Sequence, residues 1–308
     1  MALIAFTHAE FDGHETPPGH PEQVARLDAV RRAITRVGIE TRAAPLAPDA
    51  EVLRCHPQAY LDRIKQAVPR KGWAVLDGDT SLAPGSLQAA LRAVGGMAAA
   101  VDAVMAGDCD RAFLAARPPG HHAESATAMG FCLFGTVAIG AKRLLDHHGL
   151  SRVAIVDFDV HHGNGTQDLL WDEGRVLFLS SHQMPLYPGT GHPDERGAHG
   201  QIVNVPLRSG SGGAEMRAAY EAQVFPALEA FAPEFLLISA GFDAHHADPL
   251  ADLTWTEADF AWLTRELMAL ADRHAKGRVV STLEGGYDLQ ALEDSVAAHL
   301  GAMKGRGK

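Results

Sequence analysis

Cysteine is scarce in this sequence, and the three cysteines, Cys55, Cys109 and Cys132, show no paired spacing. A disulfide framework is therefore disfavoured, and a reducing compartment, the cytoplasm, is indicated. The first residues lack the positive charge and the apolar length of a signal peptide. No apolar run reaches the length of a membrane span, so we expect no membrane partner.

Basic residues are also in the minority, with 27 lysines and arginines against 38 aspartates and glutamates, a net charge of −11. This balance argues against a nucleic-acid partner, because phosphates require a basic surface. Repeats and low-complexity linkers are absent, and 46% of the residues are hydrophobic, as in ordinary globular proteins. We interpret residues 1–308 as a single domain of undetermined oligomeric state.

Strand-like and helix-like segments alternate along the chain. The predicted strands are Leu3–Thr7, Arg111–Ala116, Val153–Phe158, Val176–Ser181, Ile202–Pro206, Phe235–Ala240 and Val279–Leu283. The predicted helices are about Glu22–Val37, Ser86–Met105, Thr136–His148, Gly213–Phe231, Thr256–Ala275 and Asp288–Met303. This alternation predicts an α/β fold with a mostly parallel central sheet flanked by helices on both faces. We expect the tail Gly301–Lys308 to be frayed.

A dense cluster of polar residues follows the apolar run Val153–Val156. If the strand continued, Asp157, Asp159 and His161 would all point to the same face, because strand side chains alternate. Carboxylates at the end of a buried strand need a partner of opposite charge. The sequence offers no basic residue nearby, so we predict a divalent metal ion.

Three further polar clusters follow predicted strands, at Arg117–Ala123, Gly241–Asp243 and Glu284–Tyr287. The carboxyl ends of parallel strands lie at one edge of a sheet, so we expect all four clusters to form one site. The candidate metal ligands, which leave a position open for water, are Asp159, His161 and Asp243. The candidates for proton transfer, histidine orientation and oxyanion binding are His121, His122, Asp157, Asn164 and Tyr287. This set predicts metal-assisted hydrolysis of an amide.

Together these segments resemble the histone deacetylase superfamily, in particular its class II-like bacterial branch. The matching segments follow the family's order: Gly19–Glu22, Arg117–Ala123, Gly130–Cys132, Asp157–Thr166, Tyr187–Gly191, Ser239–Asp243, Asp248–Leu250 and Glu284–Tyr287. The resemblance implies the arginase/deacetylase fold. It also implies removal of an acetyl or other short acyl group from a lysine-like amine.

The resemblance implies cofactors for specific positions. Asp159, His161 and Asp243 match the family's zinc ligands, although ferrous iron uses similar ligands and the sequence does not choose between the two ions. The family also binds potassium beside the zinc. The potassium ligands are main-chain oxygens around Asp157, Asp159 and His161 and near Ser180 and Ser181.

Catalytic roles follow from the same resemblance. His121 and His122 match the tandem catalytic histidines, with His122 as general base and then acid. Asp157 matches the acceptor for His121, and Asn164 stands where many relatives carry an acidic partner for His122. Tyr287 matches the residue that polarises the scissile acyl carbonyl.

The substrate tunnel is implied in the same way. Phe131 and Tyr187 match its aromatic walls, and Gly130 matches a position where the backbone meets the substrate. Leu250 occupies a place where one polyamine-selective branch carries a glutamate, which favours an acyl-lysine or other acylamide over an acetylpolyamine. Asp79 is predicted to grip a peptide main chain at the rim.

Alternative functions stay open. The chain could be an acetylpolyamine amidohydrolase, or a ureohydrolase of the arginase type, which would need further acidic ligands for a second manganese ion. It could also be a non-catalytic module that binds acyl-lysine. The natural substrate, the acyl length and the roles of His245 and His246, which follow the predicted ligand Asp243, are not determined by the sequence.

Overall fold

The computed structural model describes residues 2–305. The strands are β1 (Leu3–Thr7), β2 (Glu40–Ala43), β3 (Ala74–Val75), β4 (Ser81–Leu82), β5 (Arg111–Leu114), β6 (Val153–Asp157), β7 (Val176–Gln183), β8 (Ile202–Leu207), β9 (Phe235–Ala240) and β10 (Val279–Leu283). Eight of them form a parallel sheet in the order β2-β1-β5-β10-β9-β6-β7-β8, and β3 pairs with β4 in an antiparallel hairpin. The predicted α/β fold is therefore confirmed.

Helices cover the two faces of the sheet. They are α1 (Ala25–Val37), α2 (Asp49–Val52), α3 (Gln58–Ala67), α4 (Ser86–Ala106), α5 (Thr136–Asp146), α6 (Asn164–Leu169), α7 (Gly213–Ala219), α8 (Phe225–Phe231), α9 (Glu257–His274) and α10 (Leu289–Lys304). α1 and α9 pack against α10, and α4 packs against α5, and both groups contact the strands. The central strands β5, β6, β9 and β10 are buried at every position. Continuous apolar strands are typical of a parallel sheet that is covered on both faces.

The helix α4 is the one helix among residues 2–305 that is long and apolar enough to cross a membrane by length and composition alone. This corrects the expectation that no segment reaches that length. Within the most apolar 18-residue stretch of this helix, 72% is buried inside the fold. Its apolar side chains therefore contribute to the core, where they contact β5, β10 and β1.

The structure differs from the predicted elements in three places. β6 ends at Asp157, so Asp159 and His161 lie in the loop that follows, and strand alternation does not orient them. The predicted helix Gly213–Phe231 is interrupted by a π-helical turn just before Pro226, which has no N–H for the helical ladder. The tail predicted to fray from Gly301 instead continues α10 to Lys304; residues 306–308 lie outside the described part.

Sequence reasoning missed several short segments, most of them without a clear apolar pattern; α3 is the exception, because its buried Tyr60, Leu61 and Ile64 have helical spacing. β2 is an edge strand whose side chains are mostly exposed, so its sequence lacks the buried alternation that marks a strand. The hairpin β3–β4 has only two residues in each strand. The helices α2, α3 and α6 are four, ten and six residues long, and two of these are too short for a helical stripe to show.

Candidate active site

The four polar clusters meet because their strands are neighbours in the sheet. β5, β10, β9 and β6 are consecutive in the strand order, and all run in the same direction. Their carboxyl ends therefore lie side by side, and the loops that follow them carry the clusters. The expected convergence of four segments on one site is what the structure contains.

The predicted metal ligands lie within reach of one another. One ligand atom from each of Asp159, His161 and Asp243 falls within a mutual distance of 4.8 Å, and all three side chains are buried. His161 Nδ1 lies 3.1 Å from Asp159 Oδ1 and 3.2 Å from Asp243 Oδ2. Two carboxylates and one imidazole around a common point, with a further position open, form a donor set that suits a divalent ion.

Backbone groups hold these carboxylates in place. Gly285 N–H donates to Asp159 Oδ2 at 2.8 Å, and Val160 N–H donates to Asp243 Oδ1 at 2.9 Å. A Cβ atom at Gly285 would lie 2.1 Å from Asp243 Oδ2, so only glycine fits there. The close approach of the backbone explains why this glycine follows β10.

The electrostatics of the three side chains are strongly coupled. Burial and the charge of Asp159 both raise the pKa of Asp243. Burial opposes ionisation of Asp159 as well, but the charge of His121 and the hydrogen bond from His161 hold its pKa far below the ordinary value. Burial also disfavours the charged form of His161, yet its bonds to the two carboxylates raise its pKa to about 10. A metal that bound His161 through Nδ1 would therefore displace a proton.

The tandem histidines have separate partners. His121 Nδ1 donates to Asp157 Oδ2 at 3.0 Å, and Asp157 is fully buried. His122 Nδ1 lies 2.7 Å from Asn164 Oδ1. The Asn164 amide nitrogen donates to Glu124 Oε1 at 2.9 Å, which fixes the amide orientation, so its oxygen faces the histidine. His122 therefore carries its proton on Nδ1, and its Nε2 is free to accept one.

The two histidines differ in charge. Burial disfavours the imidazolium of His121, but the charges of Asp159 and Asp157 raise its pKa well above the ordinary value. Burial and the positive charges of His121 and His161 push the pKa of His122 well below the ordinary value. At neutral pH the pair therefore consists of a charged His121 and a neutral His122, which is the state that a general base requires.

Tyr287 is held by its backbone and its ring. Its N–H donates to Asp248 Oδ2 at 2.7 Å, and the Arg26 guanidinium lies 4.8 Å from the ring centroid. Arg26 also donates to the carbonyl oxygens of Glu284 and Gly286, both in the segment that leads into the tyrosine. Burial raises the pKa of Tyr287 well above its ordinary value, so the hydroxyl keeps its proton and can donate it.

A cavity of about 250 Å³ connects these groups to the surface. Its lining residues are Asp79, His122, Gly130, Phe131, His161, Leu186, Tyr187, Leu250 and Tyr287. All five residues predicted to contact substrate are in this set, and Leu186 was not predicted. Tyr187 is 38% exposed and stands at the outer part of the cavity, with its ring centroid 5.2 Å from that of His122.

The inner wall is formed by a strained turn. Gly130 and Phe131 have positive φ angles of 54° and 68°, and Cys132 N–H donates to Met129 O at 2.9 Å across them. A left-handed conformation costs about 1–2 kcal/mol for a residue other than glycine. Such strain is typical of functional sites, where the surrounding structure imposes it. A Cβ atom at Gly130 would lie 2.4 Å from the ring of His122.

Two buried carboxylates near the site, Glu284 and Asp248, lie in segments that the sequence singled out but were given no role there, because nothing in their sequence context distinguishes a supporting carboxylate from a reacting one. Glu284 Oε2 accepts the N–H groups of Gly120 at 2.7 Å and His121 at 3.1 Å, and burial raises its pKa to about 7. Asp248 accepts the N–H groups of Leu250 at 3.0 Å and Tyr287 at 2.7 Å. Burial and the charge of Asp243 raise the pKa of Asp248 to about 7.

Other candidate ligands lie outside the cavity. Asp102, His147 and His148 form a second group, but Arg143 donates to both Asp102 oxygens and supplies the opposite charge. Among residues 2–305 no further metal-ligating group adjoins the first. His245 and His246, whose roles the sequence left open, do not line the cavity: His245 bonds to Glu257, and His246 is exposed. The hydroxyls of Ser180 and Ser181 bond to His182 and Tyr220, and the main-chain potassium site near these serines stays a prediction.

Comparisons with known proteins agree with this geometry. Residues 20–303 match the sequence model of the histone deacetylase domain. A probable deacetylase from Archaeoglobus fulgidus is 39% identical over 308 residues, covering 97% of this chain and 85% of the relative. A histone deacetylase-like amidohydrolase from Pseudomonas aeruginosa is 39% identical over 279 residues, covering 89% of this chain and 73% of the relative. The crystal structure of the HDA15 HD domain matches with a TM-score of 0.91 and 31% identity, covering 99% of this chain and 91% of that chain.

The fold is an α/β fold with a parallel sheet whose central strands end beside a cavity with histidines and carboxylates, an arrangement suited to hydrolysis. The chain belongs to the histone deacetylase family, as the match over residues 20–303 shows. The relatives carry the names of deacetylases and amidohydrolases, so the chain is a hydrolase that acts on amide bonds. The family is generally metal-dependent, and the Asp159, His161 and Asp243 group is a possible metal site.

Proposed function

We propose that this protein is a zinc-dependent deacylase that removes an acetyl or other short acyl group from a lysine-like amine. One observation carries the proposal: a small cavity is lined by a neutral histidine, by a protonated tyrosine, and by His161, which belongs to a buried group with two carboxylates. Each has a role in amide hydrolysis. We place the activity in the cytoplasm, because all three cysteines are free.

The donor set fits a zinc ion. Asp159, His161 and Asp243 would hold it, and their two carboxylates would neutralise its charge. When bound, zinc acidifies a water molecule and polarises a carbonyl group. Ferrous iron remains the alternative ion. A potassium ion bound by main-chain oxygens near Asp157 and Ser180 would be structural.

The protein's own residues would handle the protons. His122 is neutral and has its Nε2 free, so it can take the proton of the attacking water and then give it to the leaving amine. His121 stays positively charged because Asp157 and Asp159 surround it. This positive charge would stabilise negative charge that develops nearby during the reaction. Tyr287 would donate its hydroxyl proton in a hydrogen bond to the acyl oxygen.

The cavity walls fit a narrow substrate. Phe131, Tyr187, Leu186 and Leu250 give it an apolar lining, which suits the four-carbon stem of a lysine side chain. Asp79 also lines the cavity and can accept N–H groups from a peptide main chain. Leu250 supports an acyl-lysine or other acylamide substrate, small or peptidic. An acetylpolyamine amidohydrolase remains the second candidate, because it would use the same catalytic groups.

The more distant functions have less support. A two-manganese ureohydrolase needs a second set of acidic ligands, and the neighbouring carboxylate of Asp157 is engaged by His121 and by the N–H of Asp159. A non-catalytic binding module would not need Tyr287 or the tandem histidines. The placement of His122 and Tyr287 on the cavity, with His121 directly beside His122, therefore favours the enzyme.

The test is turnover of a substrate panel by the purified protein: acetyl-lysine, longer acyl-lysine and trifluoroacetyl-lysine peptides, acetylputrescine and acetylspermidine. We expect turnover of the lysine peptides, loss of turnover after chelation, and recovery with one equivalent of zinc. Turnover that survived complete metal removal would contradict the proposal. Preference for acetylspermidine would select the second candidate, and two bound ions per chain would revive the ureohydrolase.

A further inference from the structure

Thr80 has a buried hydroxyl group beside the cavity. The residue is 1% exposed and lies just before β4, in the turn of the β3–β4 hairpin. The turn itself is held by Asp77, whose Oδ1 accepts the N–H groups of Asp79 at 3.0 Å and Thr80 at 2.7 Å. The hydroxyl of Thr80 is not needed for those bonds. It is therefore free to serve the neighbouring cavity wall.

This hydroxyl connects two cavity-lining residues. Phe131 N–H donates to Thr80 Oγ1 at 3.0 Å, and Thr80 Oγ1 donates to Asp79 Oδ1 at 2.9 Å. A hydroxyl has one proton, and the Phe131 N–H can only donate. The direction of both bonds is thus determined: the proton of Thr80 points to the carboxylate, and its lone pair holds the Phe131 backbone.

Phe131 depends on outside support because its backbone is left-handed, with φ of 68° after a glycine that is also left-handed. A bulky side chain is disfavoured in this conformation. His20 adds a second contact, with its ring edge-on to Phe131 at 4.8 Å and its Nε2 donating to Asp79 O at 3.1 Å. The same two residues, Phe131 and Asp79, are therefore linked twice.

We propose that Thr80 is a positioning residue for substrate binding: its hydroxyl fixes the Phe131 wall and aims the Asp79 carboxylate at the cavity. The proposal rests on the proposed function, since it assigns Phe131 to the substrate stem and Asp79 to the substrate main chain. Thr80 is buried and does not itself line the cavity. Its loss should therefore weaken binding of both parts and leave the chemical step intact.

The experiment compares Thr80→Val, which is nearly isosteric but lacks the hydroxyl, with Thr80→Ser, which keeps it. Asp79→Ala is the reference for the main-chain contact. Two substrates separate the effects: a blocked tripeptide with a central acetyl-lysine, and N-acetylbutylamine, which has the four-carbon stem but no peptide main chain. The KM and kcat of each variant are measured on both substrates.

We expect Thr80→Val to raise KM about tenfold for the tripeptide and about threefold for N-acetylbutylamine, with kcat within twofold of the wild type; one lost hydrogen bond is of this order. Asp79→Ala should raise KM for the tripeptide only. Thr80→Ser should behave like the wild type on both substrates. Unchanged KM values in Thr80→Val, or equal defects in the valine and serine variants, would overturn the proposal.

A second readout does not depend on catalysis. Hydrogen exchange of the Phe131 amide should be at least tenfold faster in Thr80→Val than in the wild type or Thr80→Ser, because the amide loses its acceptor. An unchanged exchange rate would overturn the positioning role. If the wild-type protein turned over neither substrate, the proposed function would fail, and the exchange measurement would still decide whether Thr80 holds Phe131.

Discussion

Replacing Gly130 with alanine should inactivate the enzyme by moving His122. An added Cβ would lie 2.4 Å from His122 Cδ2 and 2.7 Å from Cγ. Carbon atoms in contact normally stand about 3.5–4.0 Å apart, so the imidazole must shift by about 1 Å. A displacement of this size in a catalytic group lowers the rate about 100-fold. We therefore expect kcat on an acetyl-lysine peptide to fall about 100-fold.

The variant also carries a backbone penalty that needs its own control. Alanine at the positive φ of Gly130 should lower the free energy of unfolding by about 1 kcal/mol. Gly38 has a similar φ of 67°, ends α1, and has open space where its Cβ would lie. Gly38→Ala therefore has the same backbone strain without the clash. It should lose only the backbone part of the stability, about 1 kcal/mol in urea unfolding, and keep the wild-type kcat.

The two variants together decide the argument. If Gly130→Ala kept the wild-type kcat while its unfolding free energy fell as expected, the position of His122 would not limit the chemistry. If Gly38→Ala lost as much activity as Gly130→Ala, general destabilisation would explain both results. Either result would refute the reasoning from the short Cβ distance.

Three further predictions concern the tyrosine, the metal and acid stability. Tyr287→Phe should lower kcat by about 100- to 1,000-fold with little change in KM, because it removes one hydrogen-bond donor to the oxyanion. Initial rates at saturating substrate measure this effect, and an unchanged kcat would contradict the proposed role of Tyr287. Chelation should lower the melting temperature of the protein, and added zinc should raise it in a concentration-dependent way, because an ion that binds only the folded state stabilises that state. Scanning fluorimetry measures both changes, and magnesium serves as the control for a general salt effect. Burial lowers the pKa of His56 to about 4, where its Nε2 accepts the Gly135 N–H and its Nδ1 donates to Ser125 O. Between pH 6.5 and about 4, the unfolded chain binds a proton at His56 that the folded protein does not bind. The contribution of His56 to the free energy of unfolding is therefore complete above pH 6.5. It falls by about 1.4 kcal/mol for each pH unit within that range. His56→Gln should show a shallower decline in urea unfolding across this range, and an identical slope would count against the assignment.

The sequence was sufficient to predict the fold because the central strands are mostly apolar and are buried along their whole length. Val153–Val156 and Phe235–Ala240 are continuous buried runs, and such runs have one structural interpretation in an alternating α/β pattern. The edge strand β2 lacks this signal because water covers most of it. The π-helical turn at Tyr220–Val224 depends on a single proline in an otherwise helical segment.

The sequence was sufficient to predict which polar segments come together at the site, but not the contacts that support them. Asp159, His161 and Asp243 stand in short motifs after strands, and the family resemblance adds roles to them. Thr80 has no such motif, because its importance comes from a contact with Phe131, 51 residues away in the chain. Arg26 likewise reaches carbonyl groups about 260 residues further along. Distances of this kind are set by the fold and leave no local pattern.

The Asp248 carboxylate has a consequence for how this enzyme could evolve. It binds Leu250 and Tyr287 only through their backbone N–H groups, so it is indifferent to the side chain at position 250. Any residue other than proline there preserves the anchor. Substitution of Leu250 could therefore change which acylated substrates the enzyme prefers, while Tyr287 and its loop keep their positions.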